Sequence, residues 1–413
     1  MKIGILTFHR SYNYGAFMQS YALSRRIKQD FPEDDVEIVD YVTARMYRNY
    51  NTSLKNYIFG TIDNRNSFFT ACKKIVKFII QPMQLKRTRT LYSAFERDLK
   101  YLPLSKFRVI SDDCTKAFDA IRGKYDVIVV GSDGVWEFIS YSFPNAYYLG
   151  DDLHAVKMSY AASSDRMHIN IINEAQKALI AKSISELKFV GIRDDATENF
   201  LNAIIPNVKK THTCDPTFLL EMGTFESNKP KVRKMLEKAG IDLSKPIIGF
   251  MCGDNIADRV INHFGNKYQY VSVYWYNKNA DAFLNDLTPT EWAVVFSFFV
   301  LTVTRFFHGT ILSLKNTTPT LTVDEWSMED EQHISKLEDL YIRLDLKEHY
   351  CRIADFNNDG KLPKILESAE RFINNIEKQK KIIVSMAKEA EHYKDFKMVL
   401  DEIRLKEKTQ ESQ

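Results

Sequence analysis

The chain has 413 residues, 45% hydrophobic and 27% charged, which excludes a disordered or collagen-like protein and suits two or three domains of about 150 residues. Its 57 Lys and Arg face 54 Asp and Glu, a net charge of +3, too even a balance to bind nucleic acid through overall electrostatics. Five cysteines (72, 114, 214, 252, 351) form no CxxC pair and no disulfide framework, as suits a reducing compartment.

The first residues, MKIGILTFHRSYNYG, turn polar too soon for a signal peptide and instead predict a buried first strand over Lys2 to Phe8. A polar loop from His9 to Tyr14 leads to helical spacing over Gly15 to Lys28, and Asp35 to Val42 resumes a strand rhythm. Strand, helix and strand within about forty residues make a βαβ unit with a parallel pair. The pattern recurs at Asp126 to Val130, Val156 to Ala161 and Phe189 to Ile192. Asp215-Pro216-Thr217 reads as a boundary, and Ser227 to Lys238 as a charged connector. Strands resume at Ile247 to Met251 and Gln269 to Tyr274, then Phe296 to Val303 as a buried strand, a helix over Gly309 to Asn316, and a strand over Thr320 to Val323. The expectation is α/β: two Rossmann-like lobes, 1–215 and 216–362, with a cleft between them, followed by C-terminal helices and a tail over 363–413.

No apolar run reaches the ~20 residues of a membrane span, so a cytoplasmic protein is expected. A basic helical insertion interrupts the first lobe at about 71–108, where ten Lys and Arg face only Glu96 and Asp98. Lys73, Lys74 and Lys77 flank Ile75, Phe78, Ile79 and Ile80 ahead of Pro82, the pattern of a basic amphipathic helix. It suits either a solvated helix face or peripheral contact with an anionic membrane carrying a lipid-linked substrate.

Ligands of open α/β sheets bind beyond the carboxyl ends of the strands, which singles out three loops. The first runs from His9 through Asn13 to Gly15, with Gln19 one turn into the helix; its free amides suit an anion or hydroxyl ligand. The second, Gly131-Ser132-Asp133-Gly134-Val135-Trp136, offers a carboxylate and an indole able to stack on a sugar. The third, Thr304-Arg305-Phe306-Phe307-His308-Gly309-Thr310, puts a cation and an imidazole at a helix N-terminus. No HxxxH, HExxH or clustered Cys/His spacing supports a metal, and no GxSxG supports a serine nucleophile.

These loops belong to longer runs: IGILTFHRSYNYGAFMQSYAL (3–23), DVIVVGSDGVW (126–136), YLG (148–150), SYAAS (159–163), GIRDDAT (191–197), CDPTFLL (214–220) and TRFFHGTILSL (304–314). In this order, over roughly residues 1–325, they resemble the polysaccharide pyruvyl transferase family. The resemblance implies a fold similar to glycosyltransferases of the two-lobed B type. It also implies transfer of pyruvate from phosphoenolpyruvate, as donor substrate, onto a pair of sugar hydroxyls to form a ketal. Carried over by position, Arg193 and His308 build the donor site with Arg305 as a nearby cation, while Asn13, Gly15, Gln19 and Asp133 shape the cleft and hold the acceptor. Gly134 stands where members often have Gln, and Phe306-Phe307 where many have a single apolar residue between Arg and His-Gly.

The chemistry asks for cations to clamp a phosphate and a carboxylate, and for a group titrating near neutrality. His308 is therefore expected as general acid or base and Asp133 as base for the acceptor hydroxyl. Arg193, Arg305, Gly309 and Thr310 take the donor side; His9, Asn13, Gly15, Gln19, Ser132 and Trp136 take the cleft and acceptor. The scheme needs no cofactor and no metal, and its partners are phosphoenolpyruvate and a sugar or lipid-linked oligosaccharide. Two other readings stay open: a two-lobed glycosyltransferase with a nucleotide-sugar donor, using Asp324 or Glu325 on the ribose, and a non-catalytic subunit of a glycan-assembly complex.

Overall fold

A computed structural model of the chain describes residues 1–50, 60–61, 64–65, 67–80, 82–138, 143–150, 152–165, 167–325, 334–373 and 375–411. Its first sheet is built from β1 (Lys2–Leu6), β2 (Asp35–Val42), β3 (Leu104–Ile110), β4 (Val127–Val130), β5 (Val156–Ala162), β6 (Phe189–Ile192) and β7 (Thr211–His212). They lie in the order β3-β2-β1-β4-β5-β6-β7, all parallel. A second parallel sheet comprises β8 (Ile247–Met251), β9 (Gln269–Val273), β10 (Ala282–Leu284), β11 (Leu301–Thr304), β12 (Thr320–Asp324) and β13 (Tyr350–Arg352), in the order β10-β9-β8-β11-β12-β13. Each lobe thus reverses its strand order beside its own first strand. Ile3 pairs with Val127 in one lobe and Ile248 with Leu301 in the other. A topological switch point of this kind opens a crevice at the carboxyl ends of the strands.

Uninterrupted apolar runs make the central strands. Val127–Val130 and Ile247–Met251 are buried at every residue, as expected for strands covered on both faces. One hydrophobic cluster runs through both lobes, from Ile3, Ile5 and Phe17 to Val271, Trp292 and Phe296, so the lobes share a core behind the cleft. A polar contact reinforces it, the Tyr14 hydroxyl donating to the Leu287 carbonyl, and Lys315 Nζ holds the crossing segment by donating to the Phe218 carbonyl at 2.9 Å.

Several segments differ from the sequence expectation. Residues 227–238 are no plain connector: a 3₁₀ turn over Met222–Asn228 leads into a helix, Lys229–Lys238, that buries Val232 and Leu236 one turn apart beneath its lysines. Of the expected strand over 296–303, only 301–303 pairs into the sheet, in a strand Leu301–Thr304; Phe296–Phe298 continues from the helix Pro289–Val295. That helix starts at Thr288 with a capping box to Glu291 and Pro289 in its first turn, a strong start signal.

The basic insertion contains two helices, Phe68–Ile80 and Pro82–Asp98, and then the edge strand β3. Pro82 opens the second helix rather than merely ending the first, as its fixed φ and missing N–H allow. The side chains of Lys74, of residues 77–80 and of 81–85 lie outside the described residues, and with them part of the expected amphipathic face. Phe68, Phe69 and Val76 are exposed. No described helix is long and apolar enough to cross a membrane.

The C-terminal helices divide between the lobes. Leu362–Phe372 buries Leu366, Ala369 and Phe372 in the second-lobe core. Lys394–Glu411 returns to the first lobe, where the Phe396 ring lies 4.9 Å from that of Tyr160 and 5.8 Å from that of Phe189.

Candidate active site

A cleft cavity of about 180 Å³ separates the lobes, and its walls come from strand ends of both sheets. The first lobe contributes Asn13, Tyr14 and Gly15 after β1, Asp133 after β4 and Arg193 after β6. The second contributes Met251 at the end of β8, Tyr274 after β9, Arg305 to Gly309 after β11, Asp324 at the end of β12, and Ser335 to Leu337.

Three helices point their N-termini at this space. Asn13 caps the helix Tyr14–Asp30, accepting from the amides of Gly15 at 2.8 Å and Ala16 at 3.3 Å. Ser335 caps Lys336–Arg343, accepting from the Glu338 amide at 3.1 Å. Among the described residues, no side chain caps the helix Phe307–Lys315, so its first amides face the cleft without one. Converging positive helix ends favour an anionic ligand.

Arg193 is 2% exposed and sits among three carboxylates. Its Nη1 lies 3.5 Å from Asp133 Oδ1 and 3.4 Å from Asp215 Oδ2, and its Nε 3.5 Å from Asp194 Oδ2. Burial opposes its charge, but the three aspartates outweigh burial and raise its pKa, so it remains a guanidinium. Its other face covers the Phe307 ring at 5.0 Å. His308 approaches the same carboxylate from the second lobe, Nε2 to Asp215 Oδ2 at 3.5 Å. Burial works against charge on Asp215, yet His308 and Arg193 prevail and hold its carboxyl well below the usual carboxylate range. Neither His308 Nε2 nor Arg193 Nε has a well-aligned hydrogen-bond partner among the described residues. Both lie in the cleft wall.

Glycine allows close approach at two points of this wall. A Cβ on Gly15 would stand 2.1 Å from His308 Nδ1, so the imidazole of one lobe rests on bare backbone of the other. A Cβ on Gly309 would meet Met251 Sδ at 2.9 Å and Thr304 Oγ1 at 3.0 Å. Arg305 forms a close ion pair with Glu325 and lies 5.4 Å over the Trp275 ring. Lys336 bridges the lobes, 3.3 Å from Asp165 Oδ1.

The structure thus brings together Asn13, Gly15, Asp133, Arg193, Arg305, His308 and Gly309 on one cavity. Of the other candidates, Asp324 reaches that wall and the rest do not. His9 is buried with Nδ1 at 3.0 Å from the Thr7 carbonyl and Nε2 at 3.0 Å from Asp40 Oδ1. Gln19 is spent on Thr7 Oγ1, the Phe8 and Ala16 carbonyls and Ser20 Oγ, tying the helix to the end of β1. Ser132 is fully buried, and Thr310 Oγ1 meets Thr322 Oγ1 at 3.0 Å beneath the helix. Trp136 cannot stack on a sugar as expected: its indole is buried, donates to the Tyr147 carbonyl at 3.3 Å and stacks on Tyr148. The carboxylates considered for a ribose are both engaged, Asp324 by Ser335 and by Tyr350 at 3.0 Å, Glu325 by Arg305.

Asp215 is the residue that sequence reasoning passed over as a mere boundary; its position in CDPTFLL, an Asp before Pro where the first lobe ends, was the available signal. Tyr14, Tyr274 and Trp292, which also line the cavity, carry no pattern that separates them from core aromatics.

Two parallel α/β lobes, with cations and helix N-termini on the wall of the cleft between them, define a two-lobed α/β protein. The sequence pattern of the polysaccharide pyruvyl transferase family matches residues 13–327, and the chain belongs to that family. No curated protein matches it. Among solved structures it is similar to the UDP-GlcNAc 2-epimerase of Methanocaldococcus jannaschii (11% identity, TM-score 0.46, 94% of this chain and 99% of that one). It is also similar to Anabaena Alr3699/HepE in complex with UDP (9%, 0.46, 100% of both chains) and to E. coli ADP-heptose LPS heptosyltransferase II (11%, 0.40, 90% and 98%).

Proposed function

We propose that the protein transfers pyruvate from phosphoenolpyruvate onto two hydroxyls of a sugar in a polysaccharide or lipid-linked precursor, forming a cyclic ketal. The observation that carries this reading is the meeting of Arg193 and His308, from different lobes, on one cavity with Asp215 behind both. The donor brings a phosphate and a carboxylate. Arg305, Lys336 and the amides opening the helix Phe307–Lys315 would receive these groups, with Glu325 and Asp165 giving way as ligand oxygens replace theirs. Arg193, already surrounded by three aspartates, holds the carboxylates in place and offers its unaligned Nε.

In the proposed reaction one sugar hydroxyl attacks the central carbon of the enol ester as the methylene carbon takes a proton and becomes methyl. The second hydroxyl then closes the ring as the C–O bond to phosphate breaks. Of the two hydroxyl protons, one ends on the methyl group and the other on the departing phosphate. His308 is the group that moves a proton, and Asp215 orients its ring and steadies the imidazolium. Asp133, also on the wall, is the base proposed for the hydroxyl.

Purified protein incubated with phosphoenolpyruvate and a panel of aryl glycosides should release phosphate and yield a glycoside heavier by one condensed pyruvate in mass spectrometry. Turnover of a nucleotide sugar, without phosphate release from phosphoenolpyruvate, would replace this reading with glycosyl transfer. Contact with an anionic lipid surface through the basic segment 71–108, next to the exposed Phe68 and Phe69, is part of the proposal, and vesicle co-sedimentation tests it.

A further inference from the structure

At about 180 Å³ the cleft is smaller than the ~300–1,000 Å³ of pockets for drug-sized ligands. It has room for one small reactant, so the second reactant of the proposed transfer must lie at the mouth.

On the second-lobe side the chain turns outward after β9 at Tyr274, whose φ of +63° lies in the left-handed region. It then presents two aromatic side chains in succession, Trp275 at 43% and Tyr276 at 39% exposure. Neither is a loose surface ring. Trp275 touches the cleft wall twice: its ring centroid is 5.8 Å from that of Phe306, and the Arg305 guanidinium lies 5.4 Å from it. Tyr276 is held by the Arg87 guanidinium at 3.3 Å and by the edge of Phe283 at 5.4 Å. Arg87 comes from the inserted helix Pro82–Asp98, which is itself fastened to the second lobe: Asn285 Nδ2 donates to the Arg87 carbonyl at 2.8 Å, and Asp98 Oδ2 accepts from the Thr290 amide at 2.8 Å. Rings fixed in advance by such partners lose little freedom when a ligand lies on them.

We propose that Trp275 and Tyr276 form the platform on which a pyranose ring of the acceptor rests while its hydroxyls reach into the cleft. This rests on the pyruvyl-transfer reading of the same site. An aromatic face is electron-rich at its centre and meets the C–H face of a pyranose, leaving the sugar hydroxyls directed outward around the ring. The platform adds the second lobe and the inserted helix to an acceptor side that sequence reasoning confined to the first lobe.

Saturation-transfer NMR with methyl β-galactopyranoside, methyl α-mannopyranoside and methyl N-acetyl-β-glucosaminide tests the platform without turnover. At least one glycoside should bind the wild type. Trp275→Ala should weaken it about tenfold, Tyr276→Ala severalfold, and Trp275→Phe should keep it within about threefold. The rise in melting temperature produced by phosphoenolpyruvate should persist in Trp275→Ala, which also shows that the variant is folded. Unchanged glycoside binding in Trp275→Ala, or no glycoside binding at all, overturns the platform. UDP binding that disappears in Trp275→Ala, in place of glycoside binding, overturns it in favour of a nucleobase. Glycoside binding that depends on Trp275, together with no response to phosphoenolpyruvate, would leave the platform standing and refute only the pyruvyl-transfer reading.

Discussion

The first lobe contains a cluster that mirrors the cleft in composition and differs from it in geometry. Asp40 is buried and gathers His9 at 3.0 Å, Arg10 Nη2 at 2.8 Å and Arg108 Nε at 2.9 Å. Asp215 likewise gathers a histidine and an arginine, but at 3.5 and 3.4 Å, and the nitrogens His308 Nε2 and Arg193 Nε lack aligned partners. Around Asp40 the hydrogen bonds are short and complete, and the charge serves the fold. Around Asp215 one oxygen is held by Thr217 at 2.6 and 3.0 Å, but the contacts to the histidine and the arginine are long and unfinished, beside a cavity, so a ligand has hydrogen bonds left to complete. The same residue types, within one lobe or across two, can therefore be cement or instrument, and the distances distinguish them.

The sharpest way to break this contrast is to remove each histidine in turn. His308→Ala should lower pyruvyl transfer about 10³-fold with little change in melting temperature, the range expected of a general acid or base. His9→Ala should cost about 1–2 kcal/mol of stability, in line with a lost buried hydrogen bond, and keep kcat within about twofold. Reversed outcomes in phosphate-release assays and thermal melts would exchange the two roles. Next in size, Asp40→Ala leaves the buried Arg10 guanidinium without its partner and should cost about 3–5 kcal/mol in denaturant unfolding, with phosphoenolpyruvate binding preserved at temperatures where the variant is folded.

A smaller effect is expected at the lobe contact. Gly15→Ala forces a methyl group against His308 and should cost about 1–3 kcal/mol by overpacking. Its activity should fall further than its stability because the imidazole must move; equal KM and kcat with the wild type would show that the ring position is not critical.

The smallest effect is one of pH. Burial raises the Asp339 carboxyl to about 6, with Asp195 and Asp194 adding to the rise and Arg343 opposing it. The folded protein therefore holds a proton that the unfolded chain has released. Stability at this residue is complete below about pH 4 and is lost as pH climbs through 6. Asp339→Asn should gain on the order of 1–2 kcal/mol at pH 8 and almost nothing at pH 4; an equal gain at both would remove Asp339 as the source.

Much of the fold was legible because buried parallel strands are continuous apolar runs. Asp35–Val42, Phe189–Ile192 and Ile247–Met251 lie where the sequence rhythm places them. Strand β3 was hidden because it is an edge strand in a basic stretch, with Lys106 exposed and Arg108 turned to Asp40. The short β10 and β13 are too brief for any period to show. At the site, the rule that strand ends carry ligands singled out the loops, His308 among them, and the family resemblance added Arg193. What neither could supply was depth. A tryptophan in a Gly-rich loop suggests stacking on a ligand, but only tertiary packing shows that Trp136 lies inside while Trp275, which no motif marks, is exposed beside Phe306 and Arg305.

The chain passes from the first lobe to the second near Pro216–Leu219 and returns through the helix Ile376–Ala390, and these two segments touch one another. Together with the shared apolar core and the inserted helix Pro82–Asp98 clasped to the second lobe, these two crossings fasten the halves along one edge and fix the separation at which Arg193 and His308 face one another across Asp215.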